Sequence, residues 1–201
     1  MAEHYYSENP TSGHDIKRIR FDFKGCTLEF ITDAGVFSRG KIDTGSSVLL
    51  NALPDRLSGR VLDMGCGYGA IGISIAKAYQ DVEVVMVDIN SRAVELAQGN
   101  IKLNSINNAT VYQSDGFAQV EGLFDIIVSN PPIRAGKRVV YAIFEQCAIY
   151  LKSGGEFYVV IQKKQGAESA MAKLAEIYGN CEKVARDGGY WVLRCVNSYG
   201  N

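Results

Sequence analysis

Two short stretches of the 201-residue chain carry side chains able to do chemistry together: Asp63-Met64-Gly65-Cys66-Gly67-Tyr68-Gly69 and Ser129-Asn130-Pro131-Pro132-Ile133. The first fits G-x-G-x-x-G/A, in which small residues let the backbone turn tightly and approach a ligand. Alone that pattern is weak, because it suits NAD and other adenosine-bearing molecules equally. Asp88, about twenty residues on, ends the next apolar run, where a carboxylate can accept hydrogen bonds from ribose hydroxyls. Asp63 separates the possibilities: a carboxylate at the mouth of the loop opposes a pyrophosphate and favours a cationic ligand, reached directly or through the loop amides. S-Adenosylmethionine, with a sulfonium, an ammonium and no phosphate, meets that requirement. In the second stretch the side-chain oxygen of Asn130 and the carbonyl of Pro131 are two acceptors, and the prolines fix φ and hold that carbonyl still. Two fixed acceptors can draw the N–H bonds of an exocyclic base amine out of plane and aim its lone pair at an electrophile. Rigidity then stands in for a catalytic base.

The rest of the composition narrows the chemistry. His4 and His14 are the only histidines and both fall in a polar N-terminal stretch, so a Ser-His-Asp or Cys-His engine lacks its base, and a histidine-ligated metal is not expected. Cys26, Cys66, Cys147, Cys181 and Cys195 are scattered without a C-x-x-C pair and read as reduced thiols. A net charge of −1 offers no global attraction to nucleic acid, so a polyanion must be met by a local patch. Arg134, Lys137 and Arg138, joined by Arg39 and Lys41, are the candidates for such contacts. Lys17, Arg18 and Arg20 read instead as charges that protect a strand edge. No apolar run approaches the roughly eighteen residues of a membrane span, and the first residues lack the apolar centre of a signal peptide, which predicts a cytoplasmic protein with no membrane partner.

These residues need a frame to bring them together. Residues 1–15 read as a loose tail and 16–201 as one domain. Within it, 16–53 make a small β-hairpin cap and a first helix ending near Pro54, and 60–198 make a Rossmann-like core. In that core, RVLDM, EVVMVDI, ATVYQ, FDIIVSN and GEFYVVIQK read as strands, separated by helices over AIGISIAKAYQ, SRAVELAQGNIKLN and VVYAIFEQCAIYL. A helix over GAESAMAKLAEIYG follows, and then two strands around Gly188-Gly189 read as a closing antiparallel hairpin. The pattern predicts an α/β fold, a doubly wound and mostly parallel seven-stranded sheet with helices on both faces. Ligands bind such sheets beyond the carboxyl ends of the strands, near the switch in strand order.

D-x-G-C-G-x-G after the first core strand, an acidic end to the second and N-P-P-I after the fourth resemble the class I S-adenosylmethionine-dependent methyltransferases. That resemblance implies that Gly65, Cys66, Gly67 and Gly69 let the backbone approach the methionine part of the cofactor, with Asp63 near its ammonium. Asp88 would hold the ribose hydroxyls, Ile89 the adenine face, and Asp115, beside Gly116, the adenine amino group. Asn130, Pro131, Pro132 and Ile133 would form the catalytic elbow, with Asn130 also bordering the cofactor. N-P-P-I-R-A-G-K together with VFSRGKIDTGSSVLL is similar to the ribosomal small-subunit guanine-N2 methyltransferases, whose catalytic half it covers from about residue 20 onward. Ribosomal RNA or the small ribosomal subunit is the implied partner, with a monomer and a homodimer both compatible. Many amino methyltransferases place an aromatic residue after the two prolines; Ile133 stands there instead, so apolar contact must replace stacking. A protein glutamine amide and an adenine amine remain alternative acceptors for the same elbow. A non-catalytic RNA-binding module is the alternative from another class, although the loop glycines and Asn130 are intact.

Overall fold

The computed structural model describes residues 13–38 and 40–198. Arg39 and residues 1–12 of the expected tail lie outside the described residues. The end of that tail is tied down: the His14 imidazole meets the buried Asp33 carboxylate, whose other oxygen accepts from Asp15 N at 2.6 Å.

A hairpin of β1 (Lys17–Phe23) and β2 (Cys26–Thr32) opens the fold. Lys24 and Gly25 both take positive φ, the conformation that a two-residue turn requires to match strand twist. Leu28 and Phe30 face inward, and Asn100 and Asn104 of α3 (Ser91–Leu103 and its cap) bond the free edge of β2 at Ile31 and Glu29, so the cap is sewn to the core. Helix α1 (Thr44–Ala52) starts at Asp43, whose carboxylate accepts from Ser46 N at 3.1 Å as a side-chain N-cap.

The core sheet comprises β3 (Gly59–Met64), β4 (Val82–Asp88), β5 (Ala109–Gln113), β6 (Phe124–Ser129), β7 (Leu151–Gln162), β8 (Glu182–Asp187) and β9 (Tyr190–Val196). Its order is β5-β4-β3-β6-β7-β9-β8, parallel except for β9, which runs antiparallel between β7 and β8. Helices α2 (Ala70–Ala78), α3, α4 (Lys137–Tyr150) and α5 (Ala167–Tyr178) complete the alternation. The apolar runs of β3, β4 and β6 are buried on both sides and feed two separate clusters, one on each face of the sheet. After β5 the chain crosses back to place β6 beside β3, and this reversal opens a crevice at the carboxyl ends of β3 and β6.

The sequence expectation holds for every element, with two adjustments. Strand β7 begins at Leu151, ahead of the GEFYVVIQK run, because a register shift opposite Phe124 and Ile126 absorbs residues 152–155 around Gly154. Helix α4 begins at Lys137, released from a short 3-10 turn over Ile133–Ala135 by Gly136 at φ 95°. Lys137 and Arg138 therefore sit in the first turn of a helix and not in a loop. The order within the closing hairpin, on which the sequence made no statement, places β9 and not β8 next to β7. Among the described residues no helix is long and apolar enough to cross a membrane.

Candidate active site

One large cavity, about 1410 Å³, runs along the carboxyl ends of the parallel strands and contains most of the expected site residues. The glycine loop forms its floor. Gly65 N and Cys66 N both donate to Val87 O at 3.0 Å, and Gly67 N donates to Asp88 Oδ2 at 2.7 Å, so the loop is fastened to the end of β4. Gly65 and Gly67 have φ of 75° and 56°, and a Cβ built on either would meet nothing within 4 Å. Their bare backbone therefore faces open space in which a ligand can lie against the chain. Gly69 differs: it does not line the cavity, and a Cβ there would come within 2.6 Å of Ile73 Cδ1. Its role is to start α2 in a left-handed conformation, which corrects the expectation that all three glycines face the cofactor.

Asp88 lines the cavity, and its Oδ1 accepts from Asn90 N at 2.9 Å. Burial raises its pKa while the backbone donors of Asn90, Gly67 and Ile89 oppose the rise. Ile89, Ser114, Asp115, Gly116 and Phe117 carry the wall onward, and the buried Ser114 hydroxyl donates to Gly116 O to fold this loop. Phe117 packs against Tyr150 with ring centroids 4.6 Å apart and the planes tilted by 31°, an apolar side wall that the sequence reading did not identify.

Asp63 requires a second correction. It is fully buried and does not line the cavity; its Oδ2 accepts from Gly72 N at 2.8 Å. Gly72 permits this approach, since a Cβ would lie 2.5 Å from Met86 Sδ and 3.0 Å from Asp63 Oδ2. Asp63 Oδ1 is buried without a hydrogen-bond partner among the described residues. Burial pushes the carboxyl up to about 7 against the Gly72 hydrogen bond, with the Asp88 charge adding to the rise. The residue anchors α2 beneath the loop and does not border the cavity.

The elbow after β6 closes the other side. Asn130 Nδ2 donates to Asp43 Oδ2 at 2.9 Å and lies 3.1 Å from Ser46 Oγ. A carboxylate only accepts, so the amide nitrogen faces Asp43 and Oδ1 is left in the cavity wall with no partner among the described residues. Pro132, at φ −74° and ψ 80°, makes an inverse γ-turn in which Pro131 O accepts from Ile133 N at 2.9 Å. One lone pair of that carbonyl is thereby used and the other remains available. Asp43 and Ser46, at the start of α1, are positioning residues that the motif did not reveal. Their only sequence signal is the Ser/Thr/Gly-rich start of a helix.

Of the expected cationic contacts, Arg134 and Arg138 line the cavity, whereas Lys137 borders a small adjoining hollow. All three are exposed and have no ion-pair partner among the described residues. Lys41 is exposed outside the cavity, its carbonyl accepting from Ser38 Oγ at 2.6 Å. Lys163 and Lys164, which were not singled out in the sequence, are exposed beyond the end of β7 and do not line the cavity. All five cysteines are free thiols, and no group of metal-binding side chains occurs among the described residues.

The strand order, the cinched glycine loop and the acidic end of β4 define a class I S-adenosylmethionine-dependent methyltransferase. More narrowly, the chain belongs to the methyltransferase small domain family, whose model matches residues 27–194. It is 44% identical over 197 residues to the uncharacterized protein YbxB of Bacillus subtilis, an alignment covering 96% of this chain and 98% of that one. It is also 37% identical over 153 residues to ribosomal RNA small subunit methyltransferase C of Haemophilus influenzae, covering 73% of this chain and 46% of that protein. Among solved structures, the T. thermophilus 16S rRNA guanine-N2 methyltransferase RsmC, determined with AdoMet and guanosine, superposes with a TM-score of 0.82 at 29% identity. That match covers 94% of this chain and 52% of RsmC. The chain thus spans about half the length of the ribosomal RNA methyltransferases it resembles.

Proposed function

We propose that the protein transfers a methyl group from S-adenosylmethionine to the exocyclic N2 amine of a guanine in small-subunit ribosomal RNA. The observation that carries the reading is the amide of Asn130, turned by Asp43 so that its oxygen faces the same cavity as the glycine loop. The residues present fit the cofactor. Gly65 and Gly67 offer bare backbone, Asp88 a carboxylate for hydroxyls, and Ile89 and Phe117 apolar surface for an adenine ring.

The bound cofactor supplies a methyl group on a positively charged sulfur. Asn130 Oδ1 and the remaining lone pair of Pro131 O accept the two N–H bonds of the target amine and turn its lone pair toward the methyl carbon. As the N–C bond forms, the C–S bond breaks with its electron pair staying on sulfur. The methylated nitrogen then loses a proton to water. Because the amine becomes strongly acidic only after attack, fixed acceptors suffice and no histidine is needed.

An RNA acceptor is supported by the relatives and by Arg134 and Arg138 at the cavity mouth. Lys137 and Arg138 occupy the first turn of α4, where the helix dipole disfavours cations by about 0.3–1 kcal/mol each. Positive charge retained at an unfavourable position fits a site that meets phosphate.

The deciding experiment offers the protein labelled S-adenosylmethionine with deproteinised ribosomal RNA, intact small subunits and a protein bearing an exposed glutamine. N2-methylguanosine recovered from the RNA by mass spectrometry is the expected product; label confined to protein, or to adenine, overturns the reading.

A further inference from the structure

A base drawn out of its stack for methylation regains stacking on an aromatic face of the enzyme. Ile133, the residue after the two prolines, has no such face. Five aromatic side chains border the cavity: Phe37, Tyr68, Phe117, Tyr150 and Tyr190. Phe117 and Tyr150 pack against one another in a tilted pair at the end occupied by Asp115. Tyr68 is 3% exposed, with its ring edge-on to Phe30. Phe37 follows a loop fastened to the start of α3, where Asn90 Nδ2 and Arg92 donate to Gly35 O and Ala34 O, and so belongs to the cofactor side.

Tyr190 stands at the opposite end. Asp88, Gly65, Asn130, Gln162 and Tyr190 follow one another across the strand mouths in the order β4, β3, β6, β7, β9. With the cofactor over the first two, the acceptor must lie over the last three. Tyr190 opens β9 two strands from Asn130, about 10 Å away at the level of the backbone. A tyrosine side chain and a base ring fill that gap between them. The ring is also held in place. A Cβ on Gly45 would come within 2.9 Å of Tyr190 Cε1 and 2.8 Å of Asp43 Oδ2, so the ring edge rests on bare helix backbone beside the carboxylate that turns Asn130. Behind it, Gly188 and Gly189 make the turn, and Lys163 N fixes Gly189 O at 2.8 Å. Burial, and then the Asp43 charge, raise the phenol pKa, so the ring is neutral at physiological pH.

We propose that Tyr190 is the stacking platform for the methyl-accepting base, supplied from the β8–β9 turn in place of an aromatic at residue 133. This rests on reading the cavity as a base N-methyltransferase site. The test compares Tyr190→Phe, which keeps the ring, with Tyr190→Leu, which keeps bulk against Gly45 without a π face. Each is assayed for labelled-methyl transfer to ribosomal RNA, for S-adenosylhomocysteine affinity by calorimetry, and for melting temperature.

Tyr190→Leu is expected to lower kcat/KM for RNA by about tenfold to a hundredfold, while Tyr190→Phe stays within about threefold of the parent. Cofactor affinity should be unchanged in both. A leucine variant within about twofold of the parent overturns the platform, as does a phenylalanine variant that loses as much as leucine. Parallel loss of S-adenosylhomocysteine affinity or of folding in the leucine variant, with phenylalanine intact, assigns the ring to the cavity's structure and also overturns it. A parent protein that labels no RNA at all removes the proposed function itself, and the wild-type arm shows which of the two has failed.

Discussion

Asn130 Nδ2 donates to Asp43 Oδ2 at 2.9 Å, joining residues 87 positions apart, and the same carboxylate oxygen accepts from Ser46 N at 3.1 Å. One side chain therefore caps α1 and orients the elbow. The two roles are separable. Serine at position 43 still caps a helix but is too short to hold Asn130. Asp43→Ser is expected to keep the parent's melting temperature and S-adenosylhomocysteine affinity while kcat falls by about tenfold to a hundredfold, the scale of a small misplacement of a reacting group. Parent-like turnover in this variant removes the positioning role.

Asn130→Ala deletes the acceptor itself. Cofactor binding should survive, because the glycine loop is fastened to β4 and not to the elbow. Turnover should fall by about a hundredfold or more, as when one fixed polar stabiliser is lost. Single-turnover methyl transfer at saturating RNA measures this directly.

The parts of the site written in contiguous residues were legible: the glycine loop, Asp88 and the Asn-Pro-Pro elbow all announce themselves by local backbone demands. Asp43, Ser46 and Tyr190 were not, because they reach Asn130 only once α1 and β9 have docked on the sheet. Asp63 was read at the strand mouth from its place before the loop. Its position in the strand instead turns the side chain under α2, where Gly72 gives it room. The hairpin signal at Gly188-Gly189 gave two paired strands, but pairing β9 with β7 depends on the buried Val192 and Leu193 matching Val160 and Val159 across the sheet. Turn chemistry carries no record of that choice.

Gly67 and Gly72, five residues apart in the chain, should respond differently to a methyl group. Gly67→Ala puts a Cβ into the open cavity at φ 56°, and Gly72→Ala puts one 2.5 Å from Met86 Sδ in the core. The first should weaken S-adenosylhomocysteine binding with a modest drop in stability. The second should destabilise by about 1–3 kcal/mol, the usual penalty of overpacking. Calorimetry and chemical denaturation on both variants check the division, and loss of binding only in the Gly72 variant would reverse it.

Asp63 makes stability depend on pH with a definite sign. Its carboxyl is pushed up to about 7 in the folded protein by burial, from its ordinary value of 3.8. Below about pH 3 both states are protonated and the group has no differential effect. As pH rises to about 7 the unfolded chain ionises first, so the folded state loses up to about 4 kcal/mol from this group. Asp63→Asn retains an acceptor for Gly72 N and cannot ionise. Its stability relative to the parent should therefore climb between about pH 3 and pH 7 and level off above, read from denaturation midpoints across that range. A difference that does not change with pH would mean that Asp63 carries an ordinary carboxylate.

Arg134 and Arg138 differ from most surface cations in lining the cavity while lacking an ion-pair partner among the described residues. If each meets one phosphate, binding of RNA releases about one counterion per contact. The Arg134→Ala/Arg138→Ala double variant should weaken binding to RNAs of different sequence alike, and should make the plot of log affinity against log salt shallower by about 1.5. Replacing Lys41, which lies outside the cavity, should change the slope less. Fluorescence anisotropy over a salt series distinguishes these outcomes. An unchanged slope in the double variant would show the pair to be solvated charge.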